Sequence, residues 1–402
     1  MARIDPFRGV CPTRDKVSLV SSRSYEEYPA AELACQLQFN PLSFLHVLHP
    51  AYAGTHSTDN EKRFRTVHQR YSSFFEDGIL ERDPQPCFYI HRIVSGDRTF
   101  TGIIAATNIS DYKSQVIKRH EETFRYRVEF FKDYMKYSGF NTEPVLMTYG
   151  SNPRISDWLV EHTRHTAHFE FSTKRREKHL FWKVSNTAQI ARLQRYFGEV
   201  SALYIADGHH RSASSEMLYD ETGADDGHFM SYLIAEEDLR IYAFHRLVRD
   251  LNGLDEAIFI KRVSEHFLIE ARNQEVFVPQ RPNEFGMYLQ GKSYSLALRD
   301  ESRKFDTPLD ALDSQILYEK ILLPILGISD LRNDERIDYV PANRPVLDFQ
   351  SRFDDGKFAV GFLLHPCPVS LIRDIADAGL VMPPKSTYIE PKLRSGLIIH
   401  EF

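Results

Sequence analysis

At 402 residues the chain is about two and a half times a typical domain, which points to two domains or one elaborated one and excludes a mini-protein. Hydrophobic residues make up 42% and aromatics 12%, enough for a sizeable core and unlike the lean composition of a disordered chain. The 50 Lys+Arg against 56 Asp+Glu leave a net charge of -6, so no global positive field draws the protein to nucleic acid or an anionic membrane, although a local basic patch is compatible with it.

Four cysteines (Cys11, Cys35, Cys87, Cys367) are scattered without a CxxC pair, a usage that fits a reducing cytosol better than a disulfide scaffold. The first residues carry charges and no apolar core, and no window approaches the ~18 apolar residues a membrane helix needs. A soluble, cytoplasmic protein is expected.

In chain order, apolar runs at 87–94 and 100–105 flank a Ser95-Gly96-Asp97-Arg98 turn and predict a β-hairpin. From Ile117 the spacing of Glu121, Phe124, Val128, Phe131 and Met135 predicts a helix closed by Gly139, with Glu121 on its apolar stripe. Strands at 165–171 and 179–184 enclose a basic turn (Lys174, Arg175, Arg176). A helix capped by Asn186 then stops at Gly198. The compact strand 202–206 runs into Asp207-Gly208-His209-His210-Arg211 and a helix over 212–219.

Strands are expected at 229–235 and 240–248, a helix at 255–267, a hairpin over 285–298, a helix at 309–323 and a strand at 358–365. Strands and helices mix without a βαβ rhythm, so the class is α+β with a mixed sheet, hairpins and flanking helices. The pattern restarts near residue 250, giving an expected division into 1–250 and 251–402.

Gly286 to Ser293 matches GxxxxGKS letter for letter. A phosphate loop, however, must follow a buried strand and open a helix. Here a Pro-containing segment precedes it and the alternating Tyr294-Ser295-Leu296-Ala297-Leu298 follows, so Gly291-Lys292 reads as a hairpin turn. His120-Glu121 begins HExxH, but Phe124 stands where the second ligand belongs. Glu121 is either a core carboxylate paired with Arg125 or Arg127, or a residue with a chemical task. His162, His165 and His168 straddle an expected strand start and read as surface histidines rather than metal ligands.

The 207–211 run lies where a strand hands over to a helix, and such a helix N-terminus favours an anion. Gly208 permits close backbone approach. The two imidazoles and the guanidinium suit phosphate, while Asp207 suits a divalent cation or a hydroxyl. The segment 382–392 (Met-Pro-Pro-Lys-Ser-Thr-Tyr-Ile-Glu-Pro-Lys) is extended and rich in ammonium and hydroxyl groups, and reads equally as an anion-binding loop or an exposed basic tail.

Several of these stretches together resemble the bacterial domain-of-unknown-function family number 1015: Asp5 to Arg8, Asn40 to Val47, Lys118 to Thr123, Ala206 to Arg211, Leu309 to Asp313 and Met382 to Thr387. The family often carries a proline-rich segment ending in Tyr-Asp-Val near its start, where this chain has Ser22 to Glu27. The resemblance implies a ParB/sulfiredoxin-like nucleotide-binding core akin to free serine kinases, a C-terminal α+β extension, and a tail that returns to the site. It implies phosphoryl transfer between ATP or ADP and a small hydroxy amino acid, serine or O-phosphoserine in serine biosynthesis; such transfer calls for Mg²⁺, with Asp207 binding the metal or orienting the hydroxyl.

In that reading Asp207, Glu121 and His210 are catalytic, and Gly208, His209, Arg211, Lys385, Ser386, Thr387 and Lys392 hold nucleotide and phosphate. His120, Thr123 and Arg127 contact the substrate. The alternative is a non-catalytic ParB-like module whose nucleotide gates binding of DNA or another partner. Against it, and against nucleic acid as a ligand, stand the net charge of -6 and the lack of a basic recognition helix.

Overall fold

Gly96, at a φ of +61°, makes the two-residue turn that joins the Phe88–Ser95 strand to Arg98–Asn108, with Ser95 opposite Arg98. This is the hairpin expected from the sequence. The computed structural model describes residues 1–52, 59–223, 227–272 and 276–402. They form two bodies: 1–118, 123–239 and 391–402 make the first, and 119–122 with 240–390 the second.

In the first body the hairpin lies in the middle of a mixed sheet. From one edge the order is Ile117–Lys118, Leu203–Asp207, Val145–Tyr149, His228–Ala235, Arg98–Asn108, Phe88–Ser95, Lys178–Val184 and Phe169–Ser172. Val145–Tyr149 runs parallel to His228–Ala235, and Ile117–Lys118 parallel to Leu203–Asp207, while the other neighbours are antiparallel. One core packs Ile90, Ile103, Met147, Trp158, Leu203 and Leu233 against this sheet. A second gathers Phe44, Phe64, Tyr71, Phe140 and Leu218 beneath the helices Asn60–Glu76, Arg125–Ser138 and His209–Thr222. Each fully buried Phe there contributes roughly 1.5–3 kcal/mol of transfer free energy.

The second body holds an antiparallel sheet ordered Phe267–Arg272, Lys292–Leu298, Glu284–Leu289, Val360–Leu364, Arg240–Val248 and Ile337–Pro341. Thr387–Glu390 pairs with the first half of Arg240–Val248. Residue 250 lies in the loop after that strand. Both sheets and their flanking helices make an α+β protein, and no described helix is long and apolar enough to cross a membrane.

Four expectations change. The helix read from Ile117 begins only at Arg125, because Ile117 and Lys118 are taken as a parallel strand beside Leu203 and Tyr204, and tertiary pairing overrides the helical spacing. Glu121 therefore lies on the irregular link between strand and helix and on no helical stripe. The helix after the 207–211 turn starts earlier, at His209, so the histidines and Arg211 occupy its first turn. Residues 255–267 divide into the Glu256–Val263 helix and the start of the Phe267–Arg272 strand, which pairs across to Lys292–Leu298. The stretch 309–323 is a 3-10 turn, a short α-helix and a π-helical turn, Tyr318–Leu322, in place of one helix.

The Gly286–Ser293 match is a hairpin as read. Gln290 and Gly291 form the turn, both at positive φ, and the Lys292 ammonium donates to Glu256 at 2.8 Å. His162 sits in the Pro153–Thr163 helix, stacked on Trp158 at 4.0 Å.

Candidate functional site

The Leu203–Asp207 strand carries Asp207 at its carboxyl end, and Gly208 turns the chain into the His209–Thr222 helix. Gly208 has a φ of +100°, and a Cβ there would stand 2.7 Å from the Arg211 guanidinium. The position thus needs glycine twice over, for its backbone and for the side chain folded against it.

Arg211 is the hub of the turn. Its Nη1 donates to Glu143 Oε2 at 2.8 Å, and its Nη2 lies 3.8 Å from Asp207 Oδ2. Its Nε is buried and has no acceptor among the described residues. Such a donor costs about 1–3 kcal/mol until an acceptor reaches it. Lys392 brings a second cation, its ammonium 3.4 Å from the same Asp207 oxygen. Asp207 is half exposed and these two contacts are long, so each contributes at most about 1 kcal/mol and an incoming phosphate can displace them.

Glu143 was not found by sequence reasoning. It follows Asn141, whose Oδ1 accepts the Glu143 amide at 3.0 Å, and it also receives the Ser395 hydroxyl at 2.6 Å. Neighbouring Thr142 accepts the Gly396 amide at 2.6 Å. The chain's last segment is thereby tied to the loop that holds Arg211, which is how Lys392 comes to Asp207. Glu27, also in the first body, is raised above the usual carboxylate range by burial, with Lys392 and Arg23 pulling the other way.

His210 accepts the Phe124 amide at Nε2 over 3.0 Å and stacks on the Phe124 ring. That nitrogen offers a lone pair, so a proton on the neutral ring sits on Nδ1. His209 is buried in the helix's first turn, where its carbonyl accepts the Ser212 hydroxyl. Arg127 pairs with Glu26 at 2.6 Å, and Thr123 is half-buried.

The remaining expected residues belong to the second body. His120 is fully buried, its carbonyl accepting the Met382 amide at 2.9 Å, and Glu121 beside it is half-buried. Lys385, at a φ of +55°, lays its ammonium 5.3 Å over Phe244. Ser386 is buried against the Ser314 hydroxyl at 2.7 Å, and Thr387 opens the Thr387–Glu390 strand. Residues 382–390 are consequently no exposed tail: Met382, Ser386, Thr387 and Ile389 are all buried.

Among the described residues no three His, Cys, Asp or Glu side chains converge as a metal cage. Mg²⁺ is commonly held by one or two carboxylates with the rest of its oxygens from phosphate and water, and the half-exposed Asp207 fits that donor set.

No curated protein matches the chain. Among solved structures, a free serine kinase in complex with AMP is similar at 13% identity and a TM-score of 0.36, over 75% of this chain and 91% of that one. A mutant free serine kinase in complex with ADP gives 14% identity and a TM-score of 0.37 over the same shares. SbnI from Staphylococcus aureus, truncated at its C-terminus, gives 13% and 0.38 over 72% of this chain and 84% of that one. The family described as "Protein of unknown function (DUF1015)" matches residues 4–315, and the chain belongs to it.

Proposed function

We propose that the 207–211 turn holds the phosphates of ATP or ADP, and that the protein transfers a phosphoryl group between this nucleotide and the hydroxyl of a small amino acid, interconverting serine and O-phosphoserine. The observation that carries this reading is the Arg211 guanidinium, with a buried Nε that finds no acceptor among the described residues, beside Asp207 and Lys392 at a helix N-terminus. Phosphoryl transfer is mostly positioning and charge neutralisation, and this set supplies both.

In the direction of phosphorylation, the serine Oγ forms its bond to the terminal phosphorus as the bond to the nucleotide's bridging oxygen breaks. The hydroxyl proton passes to a carboxylate. Glu121 takes that role or anchors the substrate's ammonium group, His120 and Thr123 take substrate contacts, and Lys385, Ser386 and Thr387 take phosphate contacts. Arg211 and Lys392 neutralise the transferring oxygens, and His209 adds a donor. His210, fixed by Phe124, holds the helix's first turn in place. Asp207 would hold Mg²⁺, which supplies charge neutralisation on the phosphates when bound.

Phosphorus NMR on serine with ATP or ADP and Mg²⁺, and on O-phosphoserine with ADP, AMP and Mg²⁺, tests this directly. The expected result is transfer in at least one direction that stops on chelation of the metal. Serine release from O-phosphoserine without nucleotide would overturn the nucleotide requirement. No turnover, and no heat on titrating ATP, ADP or O-phosphoserine, would overturn the whole reading.

A further inference from the structure

A cavity of about 550 Å³ opens in the first body between the Ala30–Phe39 helix and the turn joining Phe169–Ser172 to Lys178–Val184. That volume is in the range of small-molecule sites. Of its lining residues only Arg23 entered the site above, through its pull on Glu27.

Four cations line it, Arg23, Lys174, Arg175 and Arg394, against two carboxylates, Glu32 and Glu177. Both carboxylates are already engaged. Glu32 pairs with Arg23, and Glu177 lies 3.9 Å from His179 and accepts the Thr173 hydroxyl. Lys174, Arg175 and Arg394 form no ion pair within 4 Å among the described residues; Glu177 and Glu27 act on Arg394, and Arg175 on Glu27, only at longer range. Arg394 is largely enclosed: it donates to the Ser21 carbonyl at 2.6 Å and the Ser21 hydroxyl at 3.2 Å, and burial depresses its pKa from the ordinary value. A guanidinium held this way gains from an anion that replaces its lost hydration.

A second observation points to the same cavity. Ser22 lines it, is 2% exposed, and its hydroxyl has no hydrogen-bond partner among the described residues. Leu19 and Phe39, both exposed, give the cavity an apolar wall beside this polar floor.

We propose that this cavity is a second binding site, for a small organic phosphate: the phosphate lies among Arg394, Ser22, Lys174 and Arg175, and the organic part against Leu19 and Phe39. Guanidinium and hydroxyl donors converging from several directions suit a tetrahedral dianion.

Cys35 on the cavity wall reports on occupancy, because it is exposed while Cys11, Cys87 and Cys367 are buried. Phenyl phosphate at ~10 mM, a concentration that saturates millimolar sites, is expected to slow alkylation of Cys35 in the full chain several-fold, with inorganic phosphate weaker. Lys174 and Arg175 are exposed turn residues, so Lys174→Gln/Arg175→Gln keeps the fold and is expected to lose the protection. Asp207→Asn is expected to retain it, which separates this cavity from the 207–211 turn. Unchanged labelling in the wild type, protection that survives the double substitution, or protection lost in Asp207→Asn would each overturn the site. Equal protection by phenylacetate would overturn the choice of a phosphate.

Discussion

The Phe124 amide donates to Nε2 of His210 at 3.0 Å while the two rings stack with centroids 5.7 Å apart and planes 13° from parallel. Thr123 and Phe124 are the first residues by which the chain re-enters the first body after the 119–122 link. His210 therefore holds the start of the Arg125–Ser138 helix against the first turn of His209–Thr222. His210→Ala removes the acceptor of a half-buried amide and is expected to cost about 1–3 kcal/mol. Phe124→Leu keeps the amide bond and loses only the ring contact, about 0.5–1.5 kcal/mol. Urea unfolding of both variants checks the order. A larger loss for Phe124→Leu would mean that packing, and not the hydrogen bond, fixes this junction.

Gly208 is the glycine on which the turn depends. Alanine would bring about 1–2 kcal/mol of left-handed backbone strain. Its Cβ would also press on the Arg211 guanidinium, 2.7 Å away, and push it from Glu143. Gly208→Ala is expected to lower thermal stability modestly and nucleotide affinity by more than tenfold. Calorimetric titration beside a thermal melt separates the two effects, and unchanged affinity would remove the turn from the proposed site.

Arg211 and Glu143 act as a pair, so the substitutions differ in kind. Arg211→Lys keeps the charge but loses the fork that reaches Glu143 while presenting Nε elsewhere. It is expected to cost at least about tenfold in nucleotide affinity, or ~1.4 kcal/mol. Glu143→Gln removes the partner charge and leaves an acceptor oxygen of the same shape, so affinity is expected to fall less than for Arg211→Lys. Equal effects of the two would mean that the ion pair itself, and not the guanidinium's free edge, matters.

The turn at 207–211 was legible because its signal is local: an apolar strand, a glycine and four functional side chains in sequence. Glu143 was not, since its bond to Arg211 spans 68 positions and its Asn-Thr-Glu-Pro loop has no periodicity. Lys392 was named for its charge, yet only the bonds of 395 and 396 to 141–143 explain its arrival at Asp207. The spacing from Ile117 misled for the converse reason: Ile117 pairs with Leu203, far along the chain, and a local pattern cannot register that. The helix Asn60–Glu76 carries a signal of the same local kind, although the expected elements do not include it. Its Phe64, Val67, Tyr71 and Phe74 recur at helical spacing behind an Asp59 cap.

The rejected phosphate-loop match gives a control. Lys292 lies in a hairpin turn, and its contact with Glu256 is a solvent-screened surface ion pair. Lys292→Ala is expected to leave nucleotide affinity within twofold of the wild type and to shift stability slightly. A tenfold loss of binding, measured by the same titration as for Arg211→Lys, would reinstate the motif.

Asp313 offers a pH test within the second body. Burial raises its carboxyl to about 6 although the Asn283 amide and side chain donate to it. Between the unfolded value of 3.8 and about 6, the folded state binds more protons than the unfolded state. Stability contributed by this group is therefore present below pH 4, falls as pH rises toward 6, and is flat above. The shift corresponds to roughly 3 kcal/mol as an upper bound. His245, lowered to about 4 by burial and Arg246, has the opposite slope over the same window, so the wild type alone conceals both. Asp313→Asn retains an acceptor for Asn283 and removes the titration. The difference between variant and wild type is then expected to grow in the variant's favour from pH 4 to pH 6, reaching about 1–3 kcal/mol at neutral pH. Denaturant melts of both proteins at three pH values measure it, and a difference that stays constant across the window would show that Asp313 is ionised in the fold at no cost.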